Sequence, residues 1–155
     1  MGMFDEYQAH PSLECPSCGG TIVDVQGKDG PCELLTWSEG SAEPAAPPWR
    51  DDELTSWEQS LRLPREFGIS GSCSSCQNMV FATGLTDKNG VWTDTLVGLP
   101  DADSTVYEAR DLGEDYLQCS RCAEAFHRVR SRRMVACPAC RCRLRDDGPN
   151  TGCAG

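Results

Sequence analysis

The chain has 155 residues, eleven of them cysteine, and a formal net charge of −10. No run approaches the ~20 apolar residues that span a membrane. The start, MGMFDEYQAH, carries acids and no apolar run, unlike a secretion signal, so a cytoplasmic chain with reduced thiols is expected.

Apolar residues make up 39% with the cysteines counted in, a thin supply for a self-sufficient core. Two small domains are expected rather than one large one. Residues 1–14 read as an irregular lead-in. Residues 21–26, TIVDVQ, read as a strand, 27–30 as a turn, and 32–37 as a second strand completing a hairpin. Lys28 and Asp29 are expected to form a local ion pair in that turn, with a partner-contact loop as the alternative. Residues 38–48 are a loop. Residues 51–63 predict a helix capped by Asp51 or Asp52, with Leu54, Trp57 and Leu61 on one core-facing stripe and Pro64 as its stop. Strands follow at 67–72, 78–83 and 91–97, the last two joined by the turn Asp87-Lys88-Asn89-Gly90. Residues 99–104 read as the boundary of an acidic β-rich domain, 1–104. A second module covers 105–145 and a disordered tail 146–155.

Four Cys-x-x-Cys pairs dominate the chemistry: Cys15/Cys18, Cys73/Cys76, Cys119/Cys122 and Cys137/Cys140. Two such turns supply the four thiolates of a tetrahedral zinc site, so eight cysteines predict two closed sites and two Zn²⁺, with iron as the less favoured metal. An odd cysteine count and the absence of a secretion signal argue against a disulfide framework. A thioredoxin-like dithiol lacks its βαβ surroundings. The first and fourth turns contain proline, and Gly19 alone supplies glycine after a second cysteine.

Sequential pairing of the turns is expected, with interleaved pairing as its rival. The second pair of turns encloses 14 residues (123–136) and the first 54 (19–72). Loop entropy makes the longer closure only about 1.2 kcal/mol costlier, small beside a zinc site worth ~10 kcal/mol. Three cysteines remain. Cys32 reads as a buried small hydrophobe, Cys142 as a minor competing ligand beside Cys140, and Cys153 as part of the tail.

Charge is uneven. Residues 1–115 hold 6 basic and 21 acidic side chains, a balance of −15, whereas 116–155 hold 8 arginines and 3 acids, a balance of +5. An acidic body disfavours nonspecific nucleic-acid binding, while an arginine-rich metal module favours it. Arg121, Arg128, Arg130, Arg132, Arg133, Arg141 and Arg143 are the candidate contacts to nucleic acid or to an acidic protein, and arginine grips phosphate bidentately.

The stretch YLQCSRCAEAFHRVRSRRMVACPACRCRL resembles the zinc-ribbon superfamily: two Cys-x-x-Cys knuckles, an aromatic (Phe126) after the first, and Cys-Pro-x-Cys as the second. The resemblance covers about 30 residues and implies a four-cysteine β module. Glycine is missing after Cys122 and Cys140, where ribbons carry it. The N-terminal pattern MGMFD…CPSCGG…QGKDGPCELLTW is similar to small, mostly uncharacterised actinobacterial and phage proteins, which implies an accessory role and no assigned activity.

No Gly-rich phosphate loop, HExxH or Gly-x-Ser-x-Gly is present, and His10 and His127 read as solvated. The fold class expected is small, metal-stapled and mainly β with one helix, carrying two zinc-ribbon-like modules. The function expected is non-enzymatic: a nucleic-acid or transcription-complex binding module acting through the arginine-rich ribbon. A protein-interaction adaptor or charge-mimicking inhibitor is the first alternative, and a thiol-redox or metal-handling protein the second. No membrane and no small-molecule substrate is expected.

Overall fold

A computed structural model describes residues 4–129 and 132–147. Its elements in chain order are β1 (Asp5–Gln8), β2 (Ile22–Gly27), β3 (Thr36–Ser38), α1 (Ser56–Ser60), β4 (Glu66–Cys73), β5 (Met79–Thr86) and β6 (Trp92–Val97). They continue with β7 (Val106–Glu108), β8 (Arg110–Asp111), β9 (Tyr116–Gln118), β10 (Ala125–His127), β11 (Met134–Ala136) and β12 (Arg143–Arg145). The protein is mainly β with one short helix among the described residues, as the sequence predicts.

The antiparallel run β2-β4-β5-β6 is the frame. Period-2 patterning builds it: β4 turns Phe67, Ile69, Gly71 and Cys73 inward and leaves the intervening residues outward. Tyr7, Phe67 and Trp92 form the aromatic centre of the core, with ring centroids 5.2–6.0 Å apart. Gly84 lies opposite Phe67, and a Cβ there would come within 2.1 Å of the Phe67 ring, so the missing side chain makes room for the aromatic. The expected turn after β5 forms: the Asp87 carboxylate accepts from the amides of Asn89 and Val91, and Gly90 takes φ +83°.

Beyond β6 the nine-stranded sheet continues through β11, β12 and β7. The join is one parallel pair, Val135 opposite Val97. Strands on both sides of 99–104 therefore share one sheet, and β10-β9-β8 form a second.

Three local expectations are corrected. The lead-in is a strand, β1, inserted between β2 and β3, so β3 pairs in parallel with β1 rather than closing a hairpin on β2. The cause is Asp5, fully buried, whose carboxylate accepts from the amides of Cys32, Glu33 and Leu35 and from Trp37 Nε1 at 2.9–3.2 Å. These bonds hold 32–35 as a loop, with Cys32 and Leu34 at positive φ. The helix spans only Ser56–Ser60 and is capped by Thr55, not Asp51 or Asp52. Thr55 and Glu58 form a reciprocal capping box, while Arg50 takes both Asp52 and Glu58. Trp57 is 58% exposed, so the expected stripe breaks: Leu54 and Leu61 reach the core from extended flanks. Asp146, expected in a disordered tail, is buried against Arg128. Residues 148–155, Cys153 included, lie outside the described residues.

Candidate metal centres

All four Cys-x-x-Cys turns share one backbone pattern. The first cysteine's amide donates to the carbonyl five residues on: Cys15 to Gly20, Cys73 to Asn78, Cys119 to Glu124, Cys137 to Cys142, at 2.7–2.9 Å. The residue four on donates back to the first cysteine's carbonyl: Gly19, Gln77, Ala123 and Arg141, at 2.8–3.0 Å. Those four residues have φ of +79°, +66°, +69° and +66°. Glycine is thus not a condition for the turn. Three non-glycine residues adopt the left-handed conformation because the closing hydrogen bonds demand it.

This geometry aims amides at sulfur. Ser17 donates to Cys15 Sγ, Ser75 and Cys76 to Cys73 Sγ, Arg121 and Cys122 to Cys119 Sγ, and Ala139 and Cys140 to Cys137 Sγ, at 3.3–3.5 Å. Donation to a thiolate favours the charged form that binds metal. The Cys73 thiol is pulled down to about 6, chiefly by the amide of Cys76. The Cys140 thiol is likewise pulled down to about 6, chiefly by the amide of Cys142. Burial pushes Cys137 up to about 12 despite its two amide donors, and pushes Cys142 well above the usual thiol range.

The turns meet in the sequential pairing. Cys15, Cys18, Cys73 and Cys76 form one cluster and Cys119, Cys122, Cys137 and Cys140 the other, with all sulfurs of each within 4.8 Å of one another. Individual separations are 3.4 and 3.8 Å in the first and 3.5 and 3.7 Å in the second. A tetrahedron with metal–sulfur bonds of about 2.3 Å has edges of about 3.8 Å, so both donor sets fit a four-coordinate ion. In the first centre, pairing of Ile22 with Cys73 brings the two turns side by side. The long loop therefore closes through the sheet itself. The centres also touch: the His127 amide donates to the Pro16 carbonyl, and the ring stands where a Cβ on Gly19 would lie 3.0 Å from Cε1. His127 is half-buried and packs edge-on to Tyr116, so it is a spacer between centres rather than a solvated side chain.

The candidate arginines do not form one outward face. Arg128 is fully buried between Asp111 (2.5 Å) and Asp146 (3.4 Å). Arg132 is buried on Glu39 at 2.7 Å and also donates to the Pro11 carbonyl. Arg143 reaches Glu66 at 3.3 Å, and Arg121 lies 3.7 Å from Asp101 and over the Tyr107 ring. Arg141 donates to the carbonyls of Leu99 and Pro100. Arg133 is exposed, and Arg130 lies outside the described residues. Lys28 and Asp29 do not pair with each other among the described residues; Asp29 accepts instead from the Gly68 amide at 2.6 Å.

Sequence reasoning missed a groove. A cavity of about 600 Å³ opens between the two centres, walled by Pro16 on one side and Pro138 on the other. Its floor includes Val97 and Phe126, and its mouth carries Met79, Phe81 and Leu99, which are 57%, 45% and 40% exposed. The signal was present in the strand 78–83: Met79 and Phe81 alternate with buried Val80 and Ala82, so a two-sided apolar strand has one face without cover. No helix is long and apolar enough to cross a membrane among the described residues. No family model matches the chain, and no curated protein or solved structure matches it.

Proposed function

We propose that the chain is a non-enzymatic protein-interaction adaptor, held together by two structural zinc ions, that receives an apolar segment of a partner protein in the groove between its centres. The exposed strip of Met79, Phe81 and Leu99 over that groove carries the reading. Soluble chains cover such strips unless they bind something. Closed sets of four thiolates suit structural zinc, since catalytic zinc keeps a position open. Iron in the same sets is the alternative metal, and elemental analysis separates the two.

The nucleic-acid reading needs arginines directed outward. Arg128 and Arg132 are instead buried on carboxylates of this chain and Arg143 reaches Glu66, which counts against it. The adaptor reading expects two zinc per chain and no salt-sensitive binding of labelled duplex DNA or single-stranded RNA. It also expects a co-purifying protein that Phe81→Asp loses and Trp57→Asp, an exposed aromatic elsewhere, retains. Nucleic-acid binding that weakens steeply with salt and depends on Arg133, or a partner indifferent to Phe81→Asp, refutes it.

A further inference from the structure

The shared backbone pattern of the four turns isolates one departure. The position five residues after the first cysteine holds Gly20, Asn78, Glu124 and Cys142. In the first centre that position is closed to side chains, because a Cβ on Gly20 would lie 2.7 Å from Cys73 Sγ. In the second centre it carries a thiol. Cys142 is 1% exposed, and its sulfur lies 3.6 Å from that of Cys119, which is fully buried. The second centre thus gathers five thiols where four complete a tetrahedron. Cys142 stands outside the set of four that lie mutually within 4.8 Å, against Cys119 at 3.6 Å and also interacting with Cys140.

We propose that Cys119 and Cys142 are the thiol-oxidation site of this protein: hydrogen peroxide joins them in a disulfide and opens the second centre while the first stays closed. The proposal rests on the reading of the two clusters as zinc sites. Among the described residues, Cys142 is the one sulfur at either centre that the tetrahedron does not need, so it stays available as a partner for an oxidised ligand. One sulfur of the pair attacks a peroxide oxygen, the O–O bond breaks, and a sulfenic acid and a water form. The other sulfur attacks that sulfenic sulfur, the S–S bond forms, the S–O bond breaks, and a second water leaves. The two sulfurs lose two electrons and the peroxide gains them. The two thiol protons end in the waters, one coming from solvent where Cys119 is a thiolate. Forming the bond brings the two sulfurs from 3.6 Å to about 2.05 Å. The second centre is left with three ligands. Because both sulfurs are buried, the oxidant must be small, and oxidised glutathione is excluded by size.

The test treats the full zinc-loaded chain with hydrogen peroxide, follows released zinc with a chromogenic chelator, and maps disulfides by peptide mass spectrometry. One zinc per chain is expected to leave, with a Cys119–Cys142 cross-link, and oxidised glutathione is expected to release none. Cys142→Ala and Cys142→Ser are expected to slow release at least about fivefold. The wild-type peptide map stands on its own if either variant folds poorly. Release of both zinc ions at one rate, a map lacking that cross-link, or variants that release zinc as fast as wild type overturns the proposal. A chain that binds no zinc before treatment overturns the reading of the centres, and this proposal with it.

Discussion

Ala123 offers a direct measure of what the metal turns demand of the backbone. It holds φ +69°, its side chain is exposed, and its amide closes the turn on the Cys119 carbonyl at 2.9 Å. An L-residue in this conformation costs about 1–2 kcal/mol, whereas glycine adopts it freely but loses more freedom on folding, by roughly 0.5–1 kcal/mol. Ala123→Gly is therefore expected to stabilise the zinc-loaded protein by about 0.5–1 kcal/mol, since no buried contact is lost. In a chain of this length that raises the thermal midpoint by about 1–4 °C, and it tightens zinc at the second centre by about two- to fivefold in chelator competition. The reciprocal change is Gly19→Ala, at φ +79°, where the new Cβ also meets His127 Cε1 at 3.0 Å. It combines left-handed strain with a collision and should cost more than about 1 kcal/mol. Thermal scans at fixed free zinc and competition with a chelator of known affinity read both. A neutral or destabilising Ala123→Gly together with a tolerated Gly19→Ala would refute a left-handed demand at these positions.

Other predictions come from the buried carboxylates and the helix cap. Asp5→Ala leaves four donors unsatisfied, two of them buried, and should cost about 3 kcal/mol or more, read by denaturant unfolding; a loss below about 1 kcal/mol means water replaces the carboxylate. Arg132→Met leaves the buried Glu39 side chain with only the His10 amide and the Thr95 hydroxyl as donors and should cost about 3 kcal/mol, whereas the double change with Glu39→Gln should recover part of that loss; strict additivity of the two would deny their coupling. The hydrogen bonds from Arg50, and then the Thr55 amide, hold the Glu58 carboxyl down at about 2. A depressed carboxylate stabilises the fold fully above its ordinary range, and that contribution is lost as pH falls through about 2. The stability gap between wild type and Arg50→Ala should then be flat from about pH 7 to 5 and shrink at lower pH. By NMR, the Glu58 titration in the variant should return to the ordinary carboxylate range, and a midpoint that stays low would assign the shift to the cap alone.

The two four-cysteine clusters were legible in the sequence because Cys-x-x-Cys is a local device: two thiols and their turn lie within six residues. The strands at 67–72 and 91–97 were legible for the same kind of reason, through alternation and the Asp87-to-Gly90 turn. What escaped were features whose partner is remote. Asp5 looks like a solvated acid until residues 32–37 present four donors to it. Once it is buried, the lead-in becomes a strand. Arg132 looks like a contact residue until Glu39, 93 positions earlier, takes its charge. Trp57 fell on a helical stripe by spacing, but the helix ends at Ser60, too short to lay a face on the core. Left-handed φ at Gln77, Ala123 and Arg141 could have been inferred from Gly19, since four copies of one turn must share one backbone path.

The placement of Cys73 at the end of β4 has a consequence for strand alignment. β2 and β4 are in register at Ile22–Cys73 and Val23–Ser72, then slip before Gln26–Ser70. Side chains alternate between faces, so a shift by one residue would swing Cys73 away from Cys15 and Cys18. An ion gripping all four sulfurs would act as a ruler, since it tolerates one alignment of the two strands and rejects its neighbours. The irregularity three residues further on can then be accommodated locally without the error running along the sheet.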